Sequence, residues 1–395
     1  MFKLNSEAEA SRTPLRARDF GVPFDGMPGP WNAITDVPGL EVGFETIIRD
    51  EPVVTRTGVT AILPRGTAKA HLPCAAGVAV LNGNGELTGR SWIEESGQLQ
   101  TPIAITNSHA VGAVHSGVER WMTEHHPTAA SAWMLPTVGE TWDGYLNSIN
   151  AETVRPHHAV SAIDAAHSGP VAEGNVGGGT GMNCYGFKGG TGTSSRRVDC
   201  GGKTFTLGAL VQANFGARRE LTLSGRHLGR DSAAPNSMET TGWFDQEISG
   251  TEPTPGAGSV IVIIATDAPL LPRQCEALAR RVPLGLARTG TTGSHFSGDI
   301  FLGLSTANEG GLRSSMSERG PLVQSLEHLA WGRIDPLFEA VVQATEESVV
   351  NALVAAEDMT GRGGHTSFAL PHSEVEAAFG QRGPSGSSPV RPPAQ

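Results

Sequence analysis

The chain has 395 residues, with 29 lysines and arginines against 40 aspartates and glutamates, a formal charge of −11 and a pI near 5.6. That length can bury a substantial core in one large or two average domains, and the acidic balance, without a basic cluster, argues against a nucleic-acid partner. No apolar run approaches the ~18 residues of a membrane span, and MFKLNSEAEASRTPLRARDF lacks the apolar core of a secretory signal, so a soluble cytoplasmic protein with no membrane partner is expected.

The 51 glycines have no period, which excludes collagen and simple repeats and leaves tight strand turns as their use. Cys74, Cys184, Cys200 and Cys275 lie far apart without CxxC or CxxH spacing and read as reduced, buried apolar residues. His125-His126 and His157-His158 are too local for a zinc site and HExxH is absent, so no metal and no cofactor are expected.

Taken in order, residues 1–15 are polar and read as a disordered tail. Short strands are predicted at Leu40–Ile48, Val59–Pro64, Ala76–Leu81 and Ile103–Thr106, each bounded by glycine, proline or polar residues. The last runs into Asn107-Ser108-His109 and a helix at Ala110–His125, with Val111, Val114, Val118 and Trp121 at helical spacing. A second helix is predicted near Ala159–His167. From Gly181 to Leu228, including ELTLSG, apolar and polar residues alternate between glycine turns, which predicts strands. The segment from Gly229 to Ala257 has only Trp243-Phe244 as an apolar anchor and reads as a surface loop. Beyond it come a strand at 259–266, a helix from Pro272 that Pro283 should interrupt, and a strand at Asp299–Ser305. A helix capped by Asp335, with Pro336 in first position, is predicted to run to Gly361. The end, 380–395, is disordered by composition.

The stretch TPGAGSVIVIIATD concentrates the chemistry. A Pro/Gly-rich run meets, at Ser259, the β-branched residues Val260 to Ile264, which read as a strand buried on both faces. A hydroxyl where a loop enters a buried strand suits a self-cleaving amidohydrolase. Ser259 would attack the Gly258 carbonyl, and the α-amino group released would then serve as base for the same hydroxyl. Gly258 tolerates the distorted backbone such a bond needs. Gly-Ser before a strand is otherwise an ordinary loop ending.

The segment GAGSVIVIIATDAPLLP, followed by RQCEALARRVPLGLARTG, resembles the processing site of the DmpA/BapA family, which comprises L-aminopeptidase D-amidase/esterases and β-peptidyl aminopeptidases. ARDFGVPFDGMPGPWNAITDVPGLEVG, NGNGELTGRSWIEESGQLQTPIAITNSHAVG, PTVGETWDGYLNSIN and EGNVGGGTGMNCYGFKGGTGTSSR are similar to it as well, from about Arg16 to Gly364. The resemblance implies one α/β domain, a layered αββα sandwich, cut into residues 1–258 and 259–395. It further implies a serine aminopeptidase or amidase acting on small peptides, amino-acid amides or esters, and a homo-oligomer, a tetramer, of cut units.

By the same resemblance, Tyr145 and Asn214 form the oxyanion clamp, where a phenol and a carboxamide donate hydrogen bonds without adding net charge. Ser297 and Asp299 hold and relay the proton of the Ser259 amine; the carboxylate here is the shorter Asp, so its reach is the open geometric question. A lone tyrosine is otherwise a core residue, a lone asparagine a turn residue and Ser-Gly-Asp a strand-entry turn. An aminopeptidase needs a carboxylate for the substrate amine; Glu140 is the first candidate, with Glu94 and Glu95 behind it. The run Gly174 to Gly181 lacks GK[ST] and reads as a turn lining the cleft, with Asn175 a candidate substrate contact. Two enzymatic alternatives remain: a triad of Ser259, His295 and an aspartate, although G-x-S-x-G is lacking, and an acyltransferase of the ornithine acetyltransferase type, which would cut before threonine. The non-enzymatic alternative is a scaffold that is never cut.

Overall fold

The computed structural model describes residues 15–132, 134–240, 256–314 and 322–380. The tails before 15 and after 380, and the loop centre with Trp243 and Phe244, lie outside them. Strands β1 (Glu41–Arg49), β2 (Thr55–Leu63), β3 (Cys74–Gly83), β4 (Gln98–Leu99), β5 (Ile103–Asn107) and β6 (Thr137–Thr141) are followed by the small hairpin β7 (Asn183–Cys184) and β8 (Phe187–Lys188). The longer β9 (Gly190–Asp199), β10 (Thr204–Gly216), β11 (Gly256–Thr266) and β12 (Ser297–Ser305) come next.

One sheet has the order β1-β2-β5-β6 and the other β4-β3-β12-β11-β10-β9. Only β5/β6 and β11/β12 are parallel pairs; the remaining neighbours run antiparallel. On β11, Ile261, Ile263 and Ala265 face Leu210, Ile300, Ile105 and Ile62 in the core between the sheets. Val260, Val262 and Ile264 face the opposite way, with Cys275, Leu278, Val341 and Ala352, under the outer helices. A run of β-branched residues is stable here because both faces are dry, at roughly 1.5–3 kcal/mol for each side chain buried.

Helices α1 (Val111–His125) and α2 (Pro156–Asp164) cover the four-stranded sheet, while α3 (Pro272–Ala279), α4 (Val282–Arg288) and α5 (Asp335–Val354) cover the six-stranded one. The result is the expected αββα layering. On β9, a Cβ at Gly192 would lie 2.0 Å from the Ser348 carbonyl oxygen, so glycine there lets α5 rest on the sheet.

Several boundaries differ from expectation. The helix from Asp335 ends at Val354 instead of Gly361, because the Glu357 backbone is taken up on both sides by the Asn175 side chain. Its N-cap is Ile334, and Asp335 lies inside the first turn. ELTLSG forms no strand: Ser224 and Gly225 adopt positive φ in a tight turn, and its alternation reflects Leu221 and Leu223 buried beneath a loop. Strand β6 and the helix His372–Phe379 were not anticipated. Pro283 does interrupt the helix from Pro272, starting α4 after a break at Arg280–Arg281. All four cysteines are free and buried.

Candidate active site

Ser259 stands near the head of the central strand β11, opposite Asn214 of antiparallel β10 and Gly298 of parallel β12. Directly opposed residues bring their Cβ atoms within ~5 Å, so Ser259 and Asn214 project together into the space between the sheets. Ser259 is 4% exposed, and its hydroxyl donates to the Gly258 carbonyl oxygen at 2.7 Å. Gly258 donates its N–H to the Phe296 carbonyl at 3.1 Å, and a Cβ on it would lie 1.9 Å from the Asn214 carbonyl oxygen. Only glycine fits. The β10/β11 register breaks between Asn214 and Gly216, beside this bond.

The Asn214 carboxamide is fixed at both ends. Oδ1 accepts the Asn183 N–H at 2.8 Å, and Nδ2 donates to the Trp142 carbonyl at 2.9 Å, leaving the second Nδ2 hydrogen for another acceptor.

On β12, the Ser297 hydroxyl donates to Asp299 Oδ1 at 2.5 Å, and Asn82 Nδ2 donates to Oδ2 at 2.7 Å. Burial pushes the Asp299 carboxyl above its ordinary value; hydrogen bonds from Ser297, Asn82 and the Val260 amide pull the other way. The carboxylate thus reaches the amide of Val260, the residue next to Ser259. Asn82, in NGNGELTG, was not singled out by sequence reasoning, since Asn-Gly reads as a turn.

Glu140 is the penultimate residue of β6, at 5% exposure. It accepts the Ser108 hydroxyl and, at 3.0 Å, the Glu86 N–H. Burial raises its carboxyl, and these two donors oppose the rise. A Cβ on Gly85 would lie 2.8 Å from the Gly298 Cα and 3.1 Å from Glu140 Oε1, so this carboxylate sits against the strand position that pairs with Ser259.

Tyr145 is buried. Its hydroxyl donates to the Thr366 carbonyl at 3.4 Å and its ring stacks on His365 at 4.9 Å, while the same segment supplies the Trp142 carbonyl to Asn214. Asn175 spends its carboxamide on Glu357. Glu94 pairs with Arg90 on the surface and Glu95 is exposed, away from this cluster. His295 is exposed against the Phe296 ring, and no hydrogen bond joins it to Ser259 among the described residues, so the triad has no geometric support.

A buried strand-head hydroxyl, a carboxamide across from it and a Ser–Asp pair alongside fit acyl transfer, and comparison with known proteins agrees. Residues 32–367 match peptidase family S58. The chain belongs to that family. It is 47% identical over 374 residues to the β-peptidyl aminopeptidase BapA of Sphingosinicella microcystinivorans, covering 93% of this chain and 92% of that one. The L-aminopeptidase D-Ala-esterase/amidase of Ochrobactrum anthropi, described as a prototype of the serine aminopeptidases and a variant of the Ntn hydrolase fold, superposes with a TM-score of 0.81 at 43% identity. That match covers 93% of this chain and 99% of the other. A Burkholderia sp. β-aminopeptidase superposes at 0.82 with 43% identity, covering 93% and 100%. This S58 member is therefore a hydrolase of the aminopeptidase/amidase class on an Ntn-type αββα sandwich. Among its described residues no helix is long and apolar enough to cross a membrane.

Proposed function

We propose that this S58 peptidase severs its own chain between Gly258 and Ser259 and then releases N-terminal residues from small peptides, amides and esters through an ester on Ser259. The observation carrying this reading is the Ser259 hydroxyl 2.7 Å from the Gly258 carbonyl oxygen, at the head of a buried strand. In the first step Oγ attacks the Gly258 carbonyl carbon, and the hydroxyl proton passes to the Ser259 nitrogen as the C–N bond breaks. Water then hydrolyses the ester, leaving a Gly258 carboxylate and a free Ser259 amine. In turnover that amine takes the hydroxyl proton as Oγ attacks substrate and returns it to the leaving amine, with Ser297 and Asp299 orienting it. Asn214 donates its free Nδ2 hydrogen to the developing oxyanion, and Tyr145 is assigned the second donor, its single hydroxyl hydrogen turning from the Thr366 carbonyl to do so.

Glu140 receives the substrate ammonium. Its burial beside Gly298 supports this role, since a half-dry carboxylate gains most from a cationic partner. Asn175, engaged by Glu357, has no substrate contact in this scheme. The relatives' names make L-amino, D-amino and β-amino acyl groups the substrates to try. Assembly as a homo-oligomer of cut units, a tetramer, in the cytoplasm belongs to the same proposal, with light scattering on the purified enzyme reading the mass.

N-terminal sequencing and intact mass of fresh protein test the first step: fragments 1–258 and 259–395 are expected. Ser259→Ala should stop both scission and hydrolysis of L-alanine, D-alanine and β-homo-amino acid p-nitroanilides. A single uncut species that hydrolyses these compounds briskly would falsify the proposal.

A further inference from the structure

One buried lysine has no part in the chemistry above; burial lowers the pKa of its ammonium to about 7, with Cys184 and Asp143 pulling the other way. Lys188, on β8, is fully buried, and among the described residues no carboxylate lies within ion-pair distance of its Nζ. Instead Nζ donates to the carbonyl oxygens of Gly189 at 2.8 Å, Met182 at 2.9 Å and Gly179 at 3.4 Å. An ammonium has three donors, and three carbonyls receive them.

The Met182 carbonyl belongs to the same peptide plane as the Asn183 N–H. That plane is held at its oxygen end by Lys188 Nζ and by the Gly189 N–H at 2.8 Å, and at its nitrogen end it donates to Asn214 Oδ1 at 2.8 Å. A carboxamide is nearly symmetric in shape, so which end of Asn214 meets an oxyanion is decided by the bond its oxygen accepts from Asn183 together with the bond its nitrogen donates to Trp142. Were the group flipped, Oδ1 would face the developing negative charge and repel it. A cation at the oxygen of a peptide also polarises the N–H at its other end, which strengthens that bond in a dry interior.

Resting on the assignment of Asn214 as oxyanion donor, we infer that Lys188 is a positioning residue for hydrolysis: by gripping the Met182–Asn183 peptide it fixes the orientation of the Asn214 carboxamide. It touches neither substrate nor nucleophile. Its effect is confined to the charge-developed state, so it acts on kcat and leaves ground-state binding alone.

The test is a double-mutant cycle in the full chain with Lys188→Met and Asn214→Ala, reading kcat and KM for L-alanine p-nitroanilide together with the rate of scission. Removing one oxyanion donor lowers kcat by about 100-fold or more. Lys188→Met is expected to lower kcat about 10-fold or more with KM within about 2-fold, and the double variant to be no slower than Asn214→Ala alone. Multiplicative losses, or unchanged kcat in Lys188→Met, overturn the inference while Asn214 keeps its role. Full turnover in Asn214→Ala overturns the oxyanion assignment and this inference with it. Lys188→Gln, which retains an NH2 group with two donors on a shorter stem, replaces Lys188→Met if that variant does not accumulate as folded protein; if neither folds, the lysine is a structural plug and the positioning role is overturned.

Discussion

At Asp299 two pressures compete: burial favours the neutral acid, while Ser297, Asn82 and the Val260 amide favour the carboxylate. Asn82→Ala removes one opposing donor, so the carboxyl should rise further. Because the relay needs the ionised form, the acid limb of the kcat profile should move to higher pH, with the alkaline limb unchanged; superimposable profiles would count against Asp299 as the relay. Glu140→Gln keeps the shape of the site and removes its charge. KM for free-amine substrates should rise far more than KM for N-acylated ones, and equal effects would remove Glu140 from amine recognition. Of these residues, Ser259 and Gly258 stood out from their own neighbourhood, a loop colliding with an apolar run. Asn214, Ser297 and Asp299 came through the family resemblance. Asn82, Ser108 and Lys188 announced nothing, because their roles arise from strands brought together across long sequence separations.

At the level of elements, the alternating burial of β11 makes a clear forecast. Ile263 faces the inter-sheet core and is wholly enclosed. Ile263→Ala should cost about 2–5 kcal/mol, measured by urea unfolding of the Ser259→Ala chain so that scission does not intrude. Elements with strong local patterns, such as β12 and α1, were legible within a residue or two, while β11 starts three residues earlier than expected, at Gly256, so the Gly258–Ser259 bond lies inside the strand. Strand β6 was not: its Thr-Val-Gly-Glu-Thr offers a single large apolar side chain, and it exists because β5 pairs beside it and Gly139 packs on Ile261. Glu140, the proposed amine anchor, thus sits on the strand hardest to see. In ELTLSG the opposite error arose, since buried loop leucines alternate as a strand would.

The whole molecule is tied at its start by a buried ionic group. Glu347 on α5 accepts Arg18 Nε at 2.6 Å and pairs with Arg196 Nη2 at 2.8 Å, joining the segment before β1 to the outer helix and β9. Burial pushes the Glu347 carboxyl up, but hydrogen bonding to Arg18 and the charges of Arg196 and Arg18 win, holding it below its ordinary value. Burial also lowers Arg196, whose guanidinium stays charged nonetheless, so the pair is ionic. A lowered carboxyl contributes stability that is complete above the unfolded value of about 4.3 and is lost as pH falls through the folded one. Glu347→Ala strands Arg196 and should cost about 3–5 kcal/mol near neutral pH, a difference that narrows in acid; thermal unfolding from pH 7 down to 3 reads both.

The strand order β4-β3-β12-β11-β10-β9 has a mechanical corollary. Strand β12 and the part of β11 from Ser259 onward follow the bond before Ser259, whereas the first three residues of β11, β3 on one flank and β10 on the other precede it. Under the proposed scission, the later fragment is wedged between two arms of the earlier one and latched to both by backbone ladders. The halves should stay married through native chromatography, parting only in denaturant. After separation they should not readily reunite, because the register was written while they were still one thread.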